Sequence, residues 1–263
     1  MIIKSMEAKI IIKKWLSILL ALTIFSSPQL VFAEKLKLGI FKFSPWGMSE
    51  NNEIRGIIWD YYQAILKEAD LEADITLVPY PRMIKKLVDG TLDCAIFTKN
   101  FEPFQNIVYL YDLTAVAMSR KGTVISNYDD FSDKNKIKSV GFANGTDRIF
   151  PRLFNDTEIA HHIFPSLLQA PQMLARKRVD VIIGMKYTML YEFKRQQLLD
   201  IVQIPWYEIR KVPVWFQCSN HIKISPATIE RFKAAALKVK ADGVFEEIAK
   251  KWLPSEVPQS DQH

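Results

Sequence analysis

Between residues 56 and 97 the spacing of apolar positions changes repeatedly. Ile58, Tyr62, Ile65, Leu66 and Ala69 recur every three to four residues, the period of one face of a helix. Ile75, Leu77 and Pro79 then alternate with Thr76 and Val78, the period of a strand. Pro81 suits the first turn of a following helix, where its missing N–H would be unpaired anyway. Met83, Ile84, Leu87 and Val88 form that helix's apolar stripe, and Gly90 can take the left-handed conformation that ends it. Leu92 to Phe97 carries a single acid near its start and is otherwise an apolar run, as in a strand covered on both faces. Such alternation predicts parallel strands with right-handed helical crossovers.

The pattern returns later in the chain. Residues 161–185 read as strand, proline, helix, and a strand opened by Asp180. Leu174 follows Leu87, and Asp180 follows Asp93, by the same 87 residues. Two similar α/β units predict two lobes with a ligand cleft between them. The remaining elements fit this frame. Lys35 to Phe41 alternates as a first strand, and Leu110 to Ser119 reads as a longer one. Ile137 to Phe142 opens the second unit, Tyr187 to Leu198 is helical, and Ile201 to Ile209 returns as a strand. Ser225-Pro226 caps a helix with Phe232, Ala235, Ala236 and Val239 buried. Val244 to Trp252 forms a last short helix. Chain crossings between lobes are placed at Arg120–Gly122 and Arg210–Pro213. The expected organisation is a leader over 1–33, one lobe from 34–119 with 213–263, and a second lobe from 120–212.

The leader changes the meaning of the composition. Lys9, Lys13 and Lys14 precede an uncharged run from Trp15 to Phe25, and Val31-Phe32-Ala33 supplies a small residue for cleavage after Ala33. The run is far shorter than the ~20 residues that span a bilayer. No Cys follows it for lipid attachment, which points to a soluble protein of a Gram-negative periplasm. The whole chain of 263 residues has a formal charge of +6. Removing a leader with four Lys and one Glu lowers this to +3. No basic stretch is interleaved with aromatics, so nucleic acid is not an expected partner. Cys94 and Cys218 remain. Export permits a disulfide, but their apolar contexts equally suit buried thiols, and spacing does not decide.

Several residues stand out for chemistry. Phe43 and Trp46 lie just past the first strand, where open α/β sheets bind ligands, and either stack on a ligand or cap the core. Arg82 sits in the first turn of a helix, where a cation opposes the dipole; an anionic ligand would account for it, as would a packed stem. Asn144-Gly145-Thr146-Asp147 precedes a helical pattern whose free N–H groups would favour an anion. Tyr187, Trp206 and Trp215 read as core or hinge packing, with one of them available to the cleft. His161 and His162 are adjacent on a strand and face opposite ways, so they cannot share a metal. Asp93 and Asp180 read as turn caps. There is no GxSxG, HExxH or CxxC, and the glycines from Gly141 lack the Lys of a phosphate loop. No catalytic residue, metal or cofactor is expected.

These stretches carry a resemblance. FSPW, GIIWDYYQAIL, LVDGTLDCAIF, VGFANGTD, RVDVIIGM and ADGVFEEIAKKWL occur in the order seen in family 3 extracellular solute-binding proteins, and the similarity spans nearly the whole chain after the leader. The resemblance implies the type II periplasmic-binding fold, an α/β architecture. Each lobe is a mainly parallel sheet flanked by helices, and two hinge crossings join them. It implies ligand contacts at Phe43 and Trp46, from Thr98 onward, at Thr146 and at the end of the Val179 strand. Two positions depart from the family's amino-acid receptors. The Arg three residues after the Thr matching Thr98, which grips an α-carboxylate, is Phe101 here. The acid that pairs the α-ammonium is Met185. Lys99 would be a poor substitute for the planar Arg fork.

The expected function is therefore a monomeric periplasmic receptor. It closes on a small polar or anionic solute and delivers it to an inner-membrane ABC permease. An amino-acid-like ligand is compatible with the fold but not with the usual clamp. The alternatives are a solitary sensory protein coupled to a sensor kinase, and an enzyme of the same fold such as a lyase or dehydratase.

Overall fold

The structure is a computed structural model that describes residues 35–98, 104–143, 151–154 and 159–253. The leader and the candidates Phe101, Thr146 and Asp147 lie outside the described residues. In chain order the elements are β1 (Leu36–Phe41), β2 (Met48–Glu50), β3 (Glu53–Arg55), α1 (Ile57–Ala69), β4 (Ala73–Val78), α2 (Tyr80–Val88), β5 (Cys94–Thr98) and β6 (Phe104–Ser119). They continue with β7 (Ser139–Ala143), α3 (Pro151–Phe154), β8 (Ala160–Phe164), α4 (Ala170–Ala175), β9 (Val181–Met185), α5 (Lys186–Arg195), β10 (Tyr207–Ser219), α6 (Pro226–Ala241) and α7 (Val244–Trp252).

Eight strands form one sheet in the order β4-β1-β5-β10-β6-β9-β7-β8. The order is symmetric about its centre. On one side β1 pairs in parallel with β4 and β5, and on the other β7 pairs in parallel with β8 and β9. The repeated unit read from the sequence thus occurs once on each side. Its shared aspartates do the same work. Asp93 Oδ2 accepts from Lys37 N at 2.8 Å, and Asp180 Oδ2 accepts from Lys138 N at 2.9 Å and Ser139 N at 3.0 Å. Each carboxylate closes the start of the neighbouring strand.

The two halves are fused through β6 and β10, which pair antiparallel along almost their full lengths. β5 flanks β10 from Val214 to Cys218, while β9 flanks β6 from Ala115 to Ser119. The change of neighbours therefore falls near Leu113 and Val212–Pro213. The expected crossing at Arg120–Gly122 lies in the turn that follows β6, with Gly122 at φ 93°. Ala115 and Ala117 pack into a core with Phe131 and Phe142, and Val116 and Met118 into one with Leu174 and Phe193. Both cores belong to the β7–β8–β9 half. The passage falls inside a continuous strand, so no turn or break marks it in the sequence.

Helical stripes cover the first half as their periodicity predicts. Tyr62, Ile65, Phe232 and Ala236 are buried with Phe216 under α1, α6 and α7, while Met83, Leu87 and Leu92 pack beneath α2 on the other face. Each of the large apolar side chains among them contributes about 1.5–3 kcal/mol by leaving water. Val88, assigned to the α2 stripe, is instead 43% exposed. Cys94 and Cys218 are register partners on adjacent strands and form a disulfide with Cα atoms 4.0 Å apart.

Candidate functional site

The turn after β1 is tied to the start of α1. Phe43 N donates to Gly47 O at 2.8 Å and Trp46 N to Phe43 O at 2.8 Å, closing the turn. The carbonyls of Pro45 and Trp46 accept from Ile57 N at 2.9 Å and Ile58 N at 3.0 Å. They satisfy helix N–H groups that no side chain caps. Gly56 makes this approach feasible. Its φ is 129°, and a Cβ there would lie 2.6 Å from Trp46 O. The backbone lock holds the Trp46 ring at the boundary between the halves, where it is 2% exposed.

A cavity of about 320 Å³ opens at that boundary. Its walls come from the carboxyl ends of two pairs of parallel strands, β1 with β5 and β7 with β9. Phe41 ends β1 and Lys42 and Phe43 follow it, Phe97 and Thr98 end β5, Ala143 ends β7, and Gly184 and Met185 end β9. Tyr111, Leu113 and Val214 form its floor from the central strands, with Leu167 and Tyr80 at the sides. Convergence of parallel strand ends at a cleft is the usual location of a ligand in such sheets. Gln217, fully buried, donates to the carbonyls of Phe97 at 3.1 Å and Thr98 at 3.3 Å, which fixes the end of β5.

Aromatic contacts bridge the halves beside the cavity. Trp46 Nε1 donates to Thr188 Oγ1 on α5 at 2.9 Å, and both groups are buried. The Trp46 ring stacks on Tyr111 with centroids 6.5 Å apart, and Tyr187 meets it at 6.0 Å. Tyr187 also contacts Phe245 of α7 at 6.3 Å. Burial pushes the Tyr111 phenol well above its ordinary pKa, with the neighbouring tyrosines adding to the effect. Burial raises Tyr61 and Tyr187 as well, followed by the charge of Glu246. All three are neutral near pH 7 and serve as contact surface.

Of the sequence candidates, Phe43, Trp46, Thr98 and Met185 share the cavity wall. Tyr187 stands one layer behind, against Trp46. Arg82 is not brought to the cavity. It lies on the exposed side of α2, because Met83 and Leu87 fix the opposite face inward. Sequence reasoning missed Phe41, Lys42, Tyr80, Tyr111, Leu113 and Val214. The rule that ligands meet strand ends could have found the first two. Tyr111, Leu113 and Val214 lie mid-strand and had no local signal. Gly141, considered against a phosphate loop, has a packing role: a Cβ there would run into the Phe164 ring. Among the described residues no three His, Cys, Asp or Glu gather as a metal site, and no helix is long and apolar enough to cross a membrane.

Fold and cavity together define the class: a two-lobed periplasmic-binding fold of type II with a solute-sized space between its lobes. No protein-family model matches the chain. It is similar to the ABC transporter arginine-binding protein 1 of Escherichia coli K12, at 25% identity over 232 residues, covering 84% of this chain and 92% of that protein. Among solved structures it resembles a histidine kinase sensor domain similar to periplasmic binding proteins. The TM-score is 0.66 at 13% identity, covering 84% of this chain and 97% of that one. It also resembles the arginine-, lysine-, histidine-binding protein ArtJ of Geobacillus stearothermophilus. There the TM-score is 0.62 at 19% identity, with the same shares covered. These likenesses support a solute-binding receptor.

Proposed function

We propose that this chain is a periplasmic solute-binding receptor, cleaved after Ala33, that closes on a small polar or anionic solute and hands it to an ABC-type importer. The observation that carries the reading is the cavity where β1, β5, β7 and β9 end, walled by both halves of the molecule. Receptor names among the relatives support transport, and the E. coli relative is named for arginine. The lobes on this reading divide at Leu113 and Val212–Pro213, so that closure flexes β6 and β10. A ligand bridging the lobes stabilises the closed form, by ~2.7 kcal/mol at a hundredfold excess over Kd, and so raises the melting temperature. The test is thermal shift and tryptophan fluorescence on the purified protein across amino acids, organic anions and small peptides. A concentration-dependent rise with one solute class supports the receptor, and a flat response to all of them overturns it.

A further inference from the structure

We infer that the end of the second half where β7 and β9 begin and β6 runs out is a docking surface for an anionic phospholipid bilayer. The inference is independent of what the cavity binds. β6, β9 and β7 are neighbours in the sheet. Ser119 of β6 and Val140 of β7 both pair with Val181 of β9. Continuing that register two residues outward sets Lys121 and Lys138 on either side of Val179, with Arg178 one residue further. Neighbouring strands lie about 4.8 Å apart, so these three cations share a sheet end about 10 Å wide. All three are exposed, and the exposed Arg176 and Lys177 extend the patch along the turn that closes α4. Lys177 has φ 58°, in the left-handed region. The 87-residue repeat matches it to Gly90 of the first half, at φ 70°. A lysine there carries a backbone cost that glycine does not. The first half reads Asp89-Gly90-Thr91 at this turn, so the three consecutive cations belong to the second half and not to the turn as such.

Two aliphatic side chains share this end. Lys121 N donates to Ile201 O at 2.8 Å and Gly122 N to Gln203 Oε1 at 2.8 Å, which ties the turn after β6 to the segment before β10. Val124 and Ile204 leave those two segments 45% and 38% exposed. Cations set around exposed aliphatics match a bilayer surface, where each Lys or Arg is drawn to anionic headgroups and alkyl groups enter the acyl boundary. Acids at this end offset part of the charge. Asp180 is engaged by Lys138 N at 2.9 Å and by Ser139 N and Oγ at 3.0 Å, and Asp130 pairs with Lys136 at 2.7 Å. Asp200 is exposed, and Asp133 stands next to Lys134. Among the described residues the cations remain in excess. The patch and the cavity lie at opposite ends of β7 and β9, which run from Lys138 and Arg178 toward Ala143 and Met185. The five residues of β9 separate them by roughly 17 Å, so a bilayer met at this end leaves the cavity clear.

The experiment is flotation of the exported, purified protein with vesicles of phosphatidylcholine alone and of phosphatidylcholine mixed equally with phosphatidylglycerol. The expected result is partition onto the mixed vesicles only, weakening as salt is raised above about 0.1 M. Joint replacement Arg176→Ser, Lys177→Gly and Arg178→Ser should lower that partition about a hundredfold, roughly fivefold for each cation removed. Its melting temperature should not fall, since the side chains are exposed and glycine suits the left-handed position. Val124→Ser with Ile204→Ser should weaken partition by a smaller factor. Joint replacement of Lys67, Lys223 and Lys250 by serine removes as many exposed cations from the first half and should change partition less than tenfold. Equal loss in the two triple variants overturns the inference in favour of a general charge effect. Failure to float with the mixed vesicles overturns it outright, and binding of poly-L-glutamate without vesicle binding replaces the bilayer with an acidic protein. None of these outcomes bears on the receptor reading, whose solute response should be the same in the wild type and the patch variants.

Discussion

Replacing Thr188 with valine tests how the two halves are held together. The side chain is 1% exposed and its Oγ1 accepts the buried Trp46 Nε1–H at 2.9 Å, across 142 residues of sequence. Valine keeps the shape and removes the acceptor. The indole N–H is then left without its partner at a site that water does not reach. Such a loss costs about 1–3 kcal/mol, the desolvation penalty of one unpaired donor. The bond joins the turn after β1 to α5, so the cost falls on the contact between halves and shifts closed-to-open populations by about 5–150-fold. Thr188→Ser, which keeps the hydroxyl, should restore most of the difference, and Trp46→Phe in the Thr188→Val background should add little further loss of that bond. The assays are the midpoint of urea unfolding and the radius of gyration by small-angle scattering, without solute. A Thr188→Val protein with the wild-type midpoint and radius would refute the idea that this hydrogen bond holds the halves.

Three further outcomes follow from the geometry. Reducing the Cys94–Cys218 bond, which closes a separation of 124 residues, should remove up to ~5 kcal/mol on the chain-entropy relation and lower the melting temperature by about 10–20 °C; a shift below ~2 °C under dithiothreitol would contradict this. Lys136 first, then the N–H of Ser126, hold the Asp130 carboxyl at about 2, below its ordinary 3.8. Its folded pKa is thus depressed, so its contribution is present above pH ~4 and lost as pH falls toward ~2. Asp130→Asn should flatten that part of the melting-temperature profile, and an unchanged slope would exclude Asp130 as its source. Gly141→Ala forces a methyl into the Phe164 ring and should destabilise by about 1–3 kcal/mol in chemical denaturation, whereas a neutral result would mean that β8 shifts freely.

The helices were legible from the chain because their signal is local. Phe232, Ala235, Ala236 and Val239 mark one side of α6 by spacing alone, and the Ser225 hydroxyl accepts Thr228 N at 3.2 Å as a cap should. The central strands were only partly legible. Gln105 and Asn106 look like loop residues, yet they open β6 by pairing with Cys218 and Gln217. Ile201 to Trp206 has strand composition but precedes β10, which begins at Tyr207. Pro213 suggested a break in β10. It is tolerated because it sits where the strand has β6 on one side and has not yet met β5 on the other.

What the sequence settled was the repeated α/β unit, its buried stripes and the aspartate caps, since each depends on residues a few positions apart and on which face meets water. The tertiary structure alone decided that Cys94 faces Cys218, that Trp46 reaches Thr188, and that Arg82 is not among the residues lining the cavity. Those outcomes depend on strand order and on which elements share a sheet. Periodicity along one segment contains no term for its neighbours across the fold, so only the packed molecule brings four strand ends around one space.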